Sequence, residues 1–207
     1  MIVLGTVTEI RSASEDEVVL EFLTAEIDAS RYTKLVCGLL KEWGLERSLI
    51  EQPDLRDKAE NARRKMILGQ YRGFPNSLLF TGFPTGVRWK LVKLDPSDWA
   101  SMRYINEERL TTKSWSQLTD GSRLVLEGAA KLKNGAVVDG VMHIHGVAAA
   151  LQAGTAFPRL ILAQSTDGRL TIIEGHSRAT AYAMLGRMAE VEAFVGDSPE
   201  IGRWICM

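Results

Sequence analysis

Glu174, His176, Ser177 and Arg178 fall within five consecutive positions, in the run Leu170-Thr-Ile-Ile-Glu174-Gly175-His176-Ser177-Arg178-Ala-Thr-Ala-Tyr-Ala-Met-Leu-Gly186. Together they supply a carboxylate fit to act as a base or to hold magnesium, an imidazole that titrates near neutral pH, a hydroxyl, and a guanidinium able to grip phosphate with two parallel hydrogen bonds. The β-branched run ends at Glu174-Gly175 and an alanine-rich segment follows, so the spacing predicts strand, glycine turn, helix. Ser177 stands where an N-cap would, and the unpaired N–H groups of a helix's first turn attract anions. The same residues also suit a plain junction, with Gly175 supplying a positive φ and Arg178 paired with a surface acid.

A second candidate grip on phosphate is Thr119-Asp-Gly-Ser122-Arg123, which precedes a predicted helix over Leu124–Leu132. Nothing in the sequence fixes its distance from Gly175. The other two histidines lie in Val137-Val-Asp-Gly-Val-Met-His143-Ile-His145-Gly146. If that stretch is a strand, His143 and His145 share a face, but two ligands do not make a metal site and no Cys or acidic cluster completes one. They are read as ordinary polar or core histidines, and no metal site is assigned.

Several elements must position these residues. Alternating patches at Ile2–Leu4 and Val18–Leu23, separated by polar Arg11–Glu17, predict two short strands. From Ala25 to Gly44 the apolar positions Ile27, Leu35, Val36, Leu39, Leu40 and Trp43 follow one helical face, with Gly44 as the stop. A second helix is expected from about Pro53 to Gly73, packing through Ala59, Ala62, Met66, Ile67 and Tyr71. It carries Arg56, Lys58, Arg63, Arg64, Lys65 and Arg72, with Asp54, Asp57 and Glu60 interspersed; this describes either a solvated face laced with ion pairs or a surface for a nucleic-acid backbone.

Gly73–Ser77 reads as a turn and as the domain boundary. Leu78–Phe83 and Val87–Leu94 then predict a hairpin about Pro84-Thr-Gly86, and Asp95-Pro96 opens a short helix. The aromatic residues of this segment, Trp89, Tyr104 and Trp115 among them, serve either core packing or base stacking. Gly146–Gly154 reads as a helix, Phe157–Ala163 as a strand, Glu190–Val195 as a last strand, and Ser198-Pro199 as the start of a short helical piece ending near a core Trp204.

The order strand, Glu-Gly-His-Ser-Arg, alanine-rich helix, Leu-Gly, strand resembles the phosphate-binding segment of the ParB/sulfiredoxin-like superfamily, whose members often carry Asp/Glu-Gly-His-His-Arg there. Phe157–Ala163 resembles the preceding strand and Gly121–Ala130 an earlier helix. The resemblance runs over the later part of the chain and does not reach the first 75 residues. Sulfiredoxin itself has cysteine where this chain has His176, and the second His of the commoner loop is Ser177 here, so it is the nucleotide site that the resemblance carries over. It implies ATP or ADP as the bound nucleotide, with CTP as the alternative, Mg²⁺ as a companion ion, and phosphoryl transfer or nucleotide hydrolysis as the reaction. In that chemistry Glu174 and His176 would be catalytic, and Gly175, His176, Ser177, Arg178, Ser122 and Arg123 would hold the nucleotide.

The expected architecture is therefore α+β, a small mixed sheet flanked by helices over residues 76–207 with a mainly helical N-terminal extension over 1–75. The chain of 207 residues has a formal net charge of −1 and 45% hydrophobic residues, ample for a core and unlike a protein that coats nucleic acid by bulk charge. Cys37 and Cys206 belong to no metal-ligand pattern and are read as free thiols of a cytoplasmic protein. No run approaches the length of apolar residues needed to span a bilayer, so no membrane partner is expected. The partners implied are a nucleotide and, in the alternative reading, DNA or RNA.

Overall fold

The computed structural model describes residues 7–29, 31–108 and 114–207; the strand expected at Ile2–Leu4 lies outside them. The chain opens with strand β1 (Thr8–Ala13), followed by helices α1 (Glu15–Ile27), α2 (Thr33–Glu42), α3 (Ser48–Glu51) and α4 (Lys58–Arg72). Then come β2 (Arg88–Lys93), α5 (Pro96–Ser101), α6 (Ser114–Leu118), α7 (Val125–Lys133) and α8 (Ile144–Gln152). Strands β3 (Leu160–Gln164) and β4 (Leu170–Glu174), helix α9 (His176–Leu185) and strand β5 (Glu192–Asp197) complete the architecture. It is α+β: a mixed five-stranded sheet in the order β1-β2-β5-β3-β4, flanked by helices.

Only the β5–β3 pair is parallel. Side chains alternate across the sheet, as a pleated strand requires. Ile161, Ala163, Ile173, Phe194 and Leu91 join the core beneath α1–α4, while Leu160, Leu162, Ile172, Val195 and Val92 join the core beneath α5 and α7–α9. A sheet covered on both faces explains why β3 and β4 are apolar with little alternation. The 75/76 position is crossed twice, because β1 pairs with β2 and because α1–α4 share their core with Trp89, Phe194 and Trp204.

Several local expectations are corrected. Val18–Leu23 is helical, not a strand, because Ser14 and Glu17 form a capping box: the Ser14 hydroxyl accepts from Glu17 N–H at 3.2 Å and the Glu17 carboxylate accepts from Ser14 N–H at 2.8 Å. Ser14→Ala is expected to cost about 1 kcal/mol, read from urea denaturation. The single helix expected over Ala25–Gly44 is broken, since the Ala29 carbonyl gathers the N–H groups of Tyr32 and Thr33 and the Thr33 hydroxyl. Leu78–Phe80 is a 3-10 turn, so no hairpin forms, and β2 pairs instead with β1 and β5. His143 and His145 are not on a strand; Val141, Ile144, Ala148 and Leu151 are buried at helical spacing and begin α8.

Helix α4 buries only part of the face expected: Ile67 is buried and Tyr71 half-buried against the core, but Ala59, Ala62 and Met66 are exposed while Asn61, Arg64 and Leu68 are buried. The Arg64 guanidinium donates to the Leu49 carbonyl (2.7 Å), the Asp54 carbonyl (3.0 Å), Asn61 Oδ1 (2.6 Å) and Glu60 (3.0 Å). Lys65 pairs with Glu15 and Asp16. Among the described residues no helix is long and apolar enough to cross a membrane.

Candidate functional site

The β4–α9 junction is built around Gly175, at φ 102°. A Cβ there would lie 2.6 Å from Leu160 Cδ2 and 3.0 Å from an Arg178 terminal nitrogen, so glycine meets both the backbone requirement and the close approach. Arg178 folds back beneath this turn. It is 7% exposed, donates to the Arg159 carbonyl at 3.2 Å and stands 3.6 Å from the Glu174 carboxylate, while its buried Nε has no hydrogen-bond partner.

No side chain caps α9. Ser177 lies inside the first turn instead of capping it, and its Oγ is 2.7 Å from His143 Nε2. The first-turn amides thus keep the donor capacity that gives helix starts their affinity for anions. Thr180 Oγ1 donates back to the His176 carbonyl and accepts from the buried Tyr104 hydroxyl, which ties α9 to the strand-like segment at residue 104.

His176 is held by rings. Trp115 stacks on it with centroids 5.3 Å apart and also on Tyr104 at 4.6 Å. Its Nε2 accepts from Ile105 N–H at 3.5 Å, which places the proton of the neutral ring on Nδ1. Burial, reinforced by the Arg72, Arg178 and Arg31 guanidiniums, pushes its pKa down to about 3. His176 is therefore a neutral imidazole at physiological pH.

The cations around His176 come from the N-terminal helices as well as from α9. Glu26, 1% exposed on α1, accepts from the Tyr71 hydroxyl and from Arg72, whose guanidinium lies 3.9 Å over the Tyr32 ring. Burial, with the Glu174 carboxylate nearby, pushes Glu26 up to about 7 against the pull of Arg72 and Tyr71. Arg31 lowers both His176 and His143, so its charge also reaches the start of α9. Three guanidiniums and two carboxylates thus converge where the α1–α4 layer meets the Gly175 turn.

Glu174, Gly175, His176, Ser177 and Arg178 are together by virtue of the turn; the side chains of Ser122 and Arg123 are engaged with other partners, although Arg123 is bonded to Tyr104, whose ring neighbours His176. Ser122 Oγ bonds to Glu127 and Arg123 donates to the Met207 carbonyl at 3.1 Å. Arg123 feels the charges of Arg103 and Arg169, and Arg169 precedes the start of β4, roughly 16 Å of extended strand from Glu174. Among the described residues no three His, Cys, Asp or Glu side chains gather as a metal site. Clefts of 280 Å³ beside Arg159 and Tyr182 and of 540 Å³ beside Met66 and Phe83 are not lined by residues 174–178. Both cysteines are free.

Sequence reasoning missed His143, Glu26, Arg72, Tyr32 and Arg31 as neighbours of the turn. For Glu26 and Arg72 the signal was an acid and an arginine on helices that also carry a buried apolar face, which gives no address in space. No family model matches the chain, and neither a curated protein nor a solved structure matches it.

Proposed function

We propose that the protein binds the phosphates of a nucleotide at the start of α9, in the manner of the ParB/sulfiredoxin-like superfamily, with phosphoryl transfer or nucleotide hydrolysis as its reaction. The observation that carries this reading is the convergence of Arg31, Arg72 and Arg178 on an uncapped helix start, where burial first and these charges second hold His176 neutral. Excess positive potential beside free backbone amides favours an anion, and an arginine fork matches phosphate geometry.

In this reading Arg178 and the first-turn amides hold the phosphates. His176, neutral and clamped between Ile105 and Trp115, positions the turn and offers at most an uncharged N–H; it has no proton to give as an acid at neutral pH. Glu174 is the carboxylate at hand for a magnesium ion, which would take most of its ligands from phosphate and water and would neutralise charge on the anhydride. ATP or ADP fits the superfamily resemblance best, with CTP as the alternative. Helix α4 does not favour the DNA or RNA reading, since Arg64, Lys65 and Arg72 are engaged within the protein.

The test is thermal stabilisation by ATP, ADP, AMP, CTP and GTP, with and without Mg²⁺. Arg178→Ala should weaken binding by about 10- to 100-fold, the loss of a charge-assisted contact. Arg178→Lys keeps the charge without the fork and should recover part of the affinity, which separates recognition from support of the turn. Equal affinities in wild type and both variants would remove Arg178 from the site.

A further inference from the structure

We propose that Ser177 is a nucleophile, activated by His143, and that it accepts the phosphoryl group from the nucleoside triphosphate held at the start of α9; this rests on the nucleotide-binding reading above. The phosphoryl acceptor would then be the protein's own serine.

Ser177 Oγ and His143 Nε2 are 2.7 Å apart. With the ring proton on Nδ1, Nε2 is the acceptor for the serine proton, the pairing of nucleophile and base that activates a serine. The pair is held between two packed helices, His143 immediately preceding α8 and Ser177 in the first turn of α9.

A serine in the first turn commonly caps its helix; this one is turned away from the amides and toward an imidazole. Donating its proton to His143 leaves the Oγ lone pairs free for attack. His143 itself is exposed at the surface, so a ligand at the turn can reach the pair. Partial burial of the ring and the charge of Arg31 lower its pKa from the ordinary value.

The electrophile follows from the surroundings. Arg178, which the nucleotide-binding reading assigns to the phosphates, is buried beside the turn; it is held by the Arg159 carbonyl and Glu174 and keeps its Nε unpartnered. In the transfer step the bond from Ser177 Oγ to the terminal phosphorus forms as the bond from that phosphorus to its bridging oxygen breaks. The serine proton passes to His143 Nε2, and the nucleoside diphosphate leaves with the bonding pair.

The experiment uses the full chain with terminally labelled ATP and Mg²⁺, acid-quenched over time and mapped by peptide mass, with nucleotide-dependent stabilisation measured in parallel. Phosphoserine should appear at residue 177, vanish in Ser177→Ala, and form about 10²- to 10⁴-fold more slowly in His143→Gln, while His143→Gln remains stabilised by the nucleotide. Stabilisation without phosphoserine at 177 overturns this inference and leaves nucleotide binding intact. An unchanged rate in His143→Gln overturns the role of the base, and no stabilisation by ATP and no label overturns both readings together.

Discussion

Arg64→Ala should destabilise the protein by about 3 kcal/mol, and Arg63→Ala, one position earlier, by no more than a few tenths. Arg64 is 0% exposed and its guanidinium reaches the Leu49 and Asp54 carbonyls, Asn61 and Glu60, tying α3 and the approach to α4 onto the helix. Truncation leaves two carbonyls and an amide oxygen without their donor, in a place where water enters only if the packing opens. Glu60 is partly exposed and can rehydrate, which keeps the loss near the lower end for a broken buried ion pair. For a chain of this size the midpoint should fall by about 6–12 °C. Arg64→Lys should recover little, because an ammonium cannot serve acceptors spread around a fork. If α4 were instead a contact face for nucleic acid, Arg63 and Arg64 would behave alike, both silent in melting and both weakening salt-dependent duplex binding.

The contrast between these neighbours shows what the sequence made legible. The basic residues of α4 could be counted but not sorted into inner and outer, because the helix buries Asn61 and Arg64 alongside Ile67 and Leu68, a face that is half polar. Where one local signal dominated, the reading was sound: Asp95-Pro96 opens α5, Gly73 closes α4, and Leu170–Glu174 passes through Gly175 into α9. Where two signals competed, the stronger was one that composition does not weigh. The Ser14–Glu17 capping box outweighs the β-branched Val18-Val19, and the helical spacing of Val141, Ile144 and Ala148 outweighs the alternation around His143.

The candidate site divides in the same way. Its contiguous half, Glu174 to Arg178, is readable from order alone. The other half arrives through tertiary structure: Glu26 and Arg72 are separated by 46 positions and meet only because α1 and α4 pack side by side. His143 reaches Ser177 across 34 positions because α8 and α9 do the same. Ser122 and Arg123, equally apt in composition, have their side chains taken up by Glu127 and by the Met207 carbonyl. The helical N-terminal layer therefore reaches the turn, supplying two of the three guanidiniums whose charge is felt at His176.

That layer should make stability depend on pH through Glu26. Its folded pKa of about 7 exceeds the ordinary 4.5, because burial and the Glu174 carboxylate outweigh Arg72 and the Tyr71 hydroxyl. The native state consequently binds a proton that the unfolded chain has already released between those values, and stability must fall as pH rises through this window. The contribution is complete below about 4.5 and lost above about 7, a change on the order of 3 kcal/mol. Carboxylates held low by hydrogen bonds, Asp167 foremost at about 2, act in the opposite sense, and only below their ordinary range. Glu26→Gln isolates the effect, since the amide keeps one acceptor for Arg72 or Tyr71 and cannot titrate. Urea denaturation from pH 4.5 to 8 should show wild type losing stability relative to the variant by about that amount; parallel curves would exclude Glu26 as the group. The same titration reaches the site. Above pH 7 the Glu26 charge cancels that of Arg72, so the positive potential at α9 weakens, and under the proposed function nucleotide binding in the wild type should fall relative to Glu26→Gln. A carboxyl that is neutral in slightly acid solution thus leaves Arg72 free to act on the turn, and its ionisation withdraws that help.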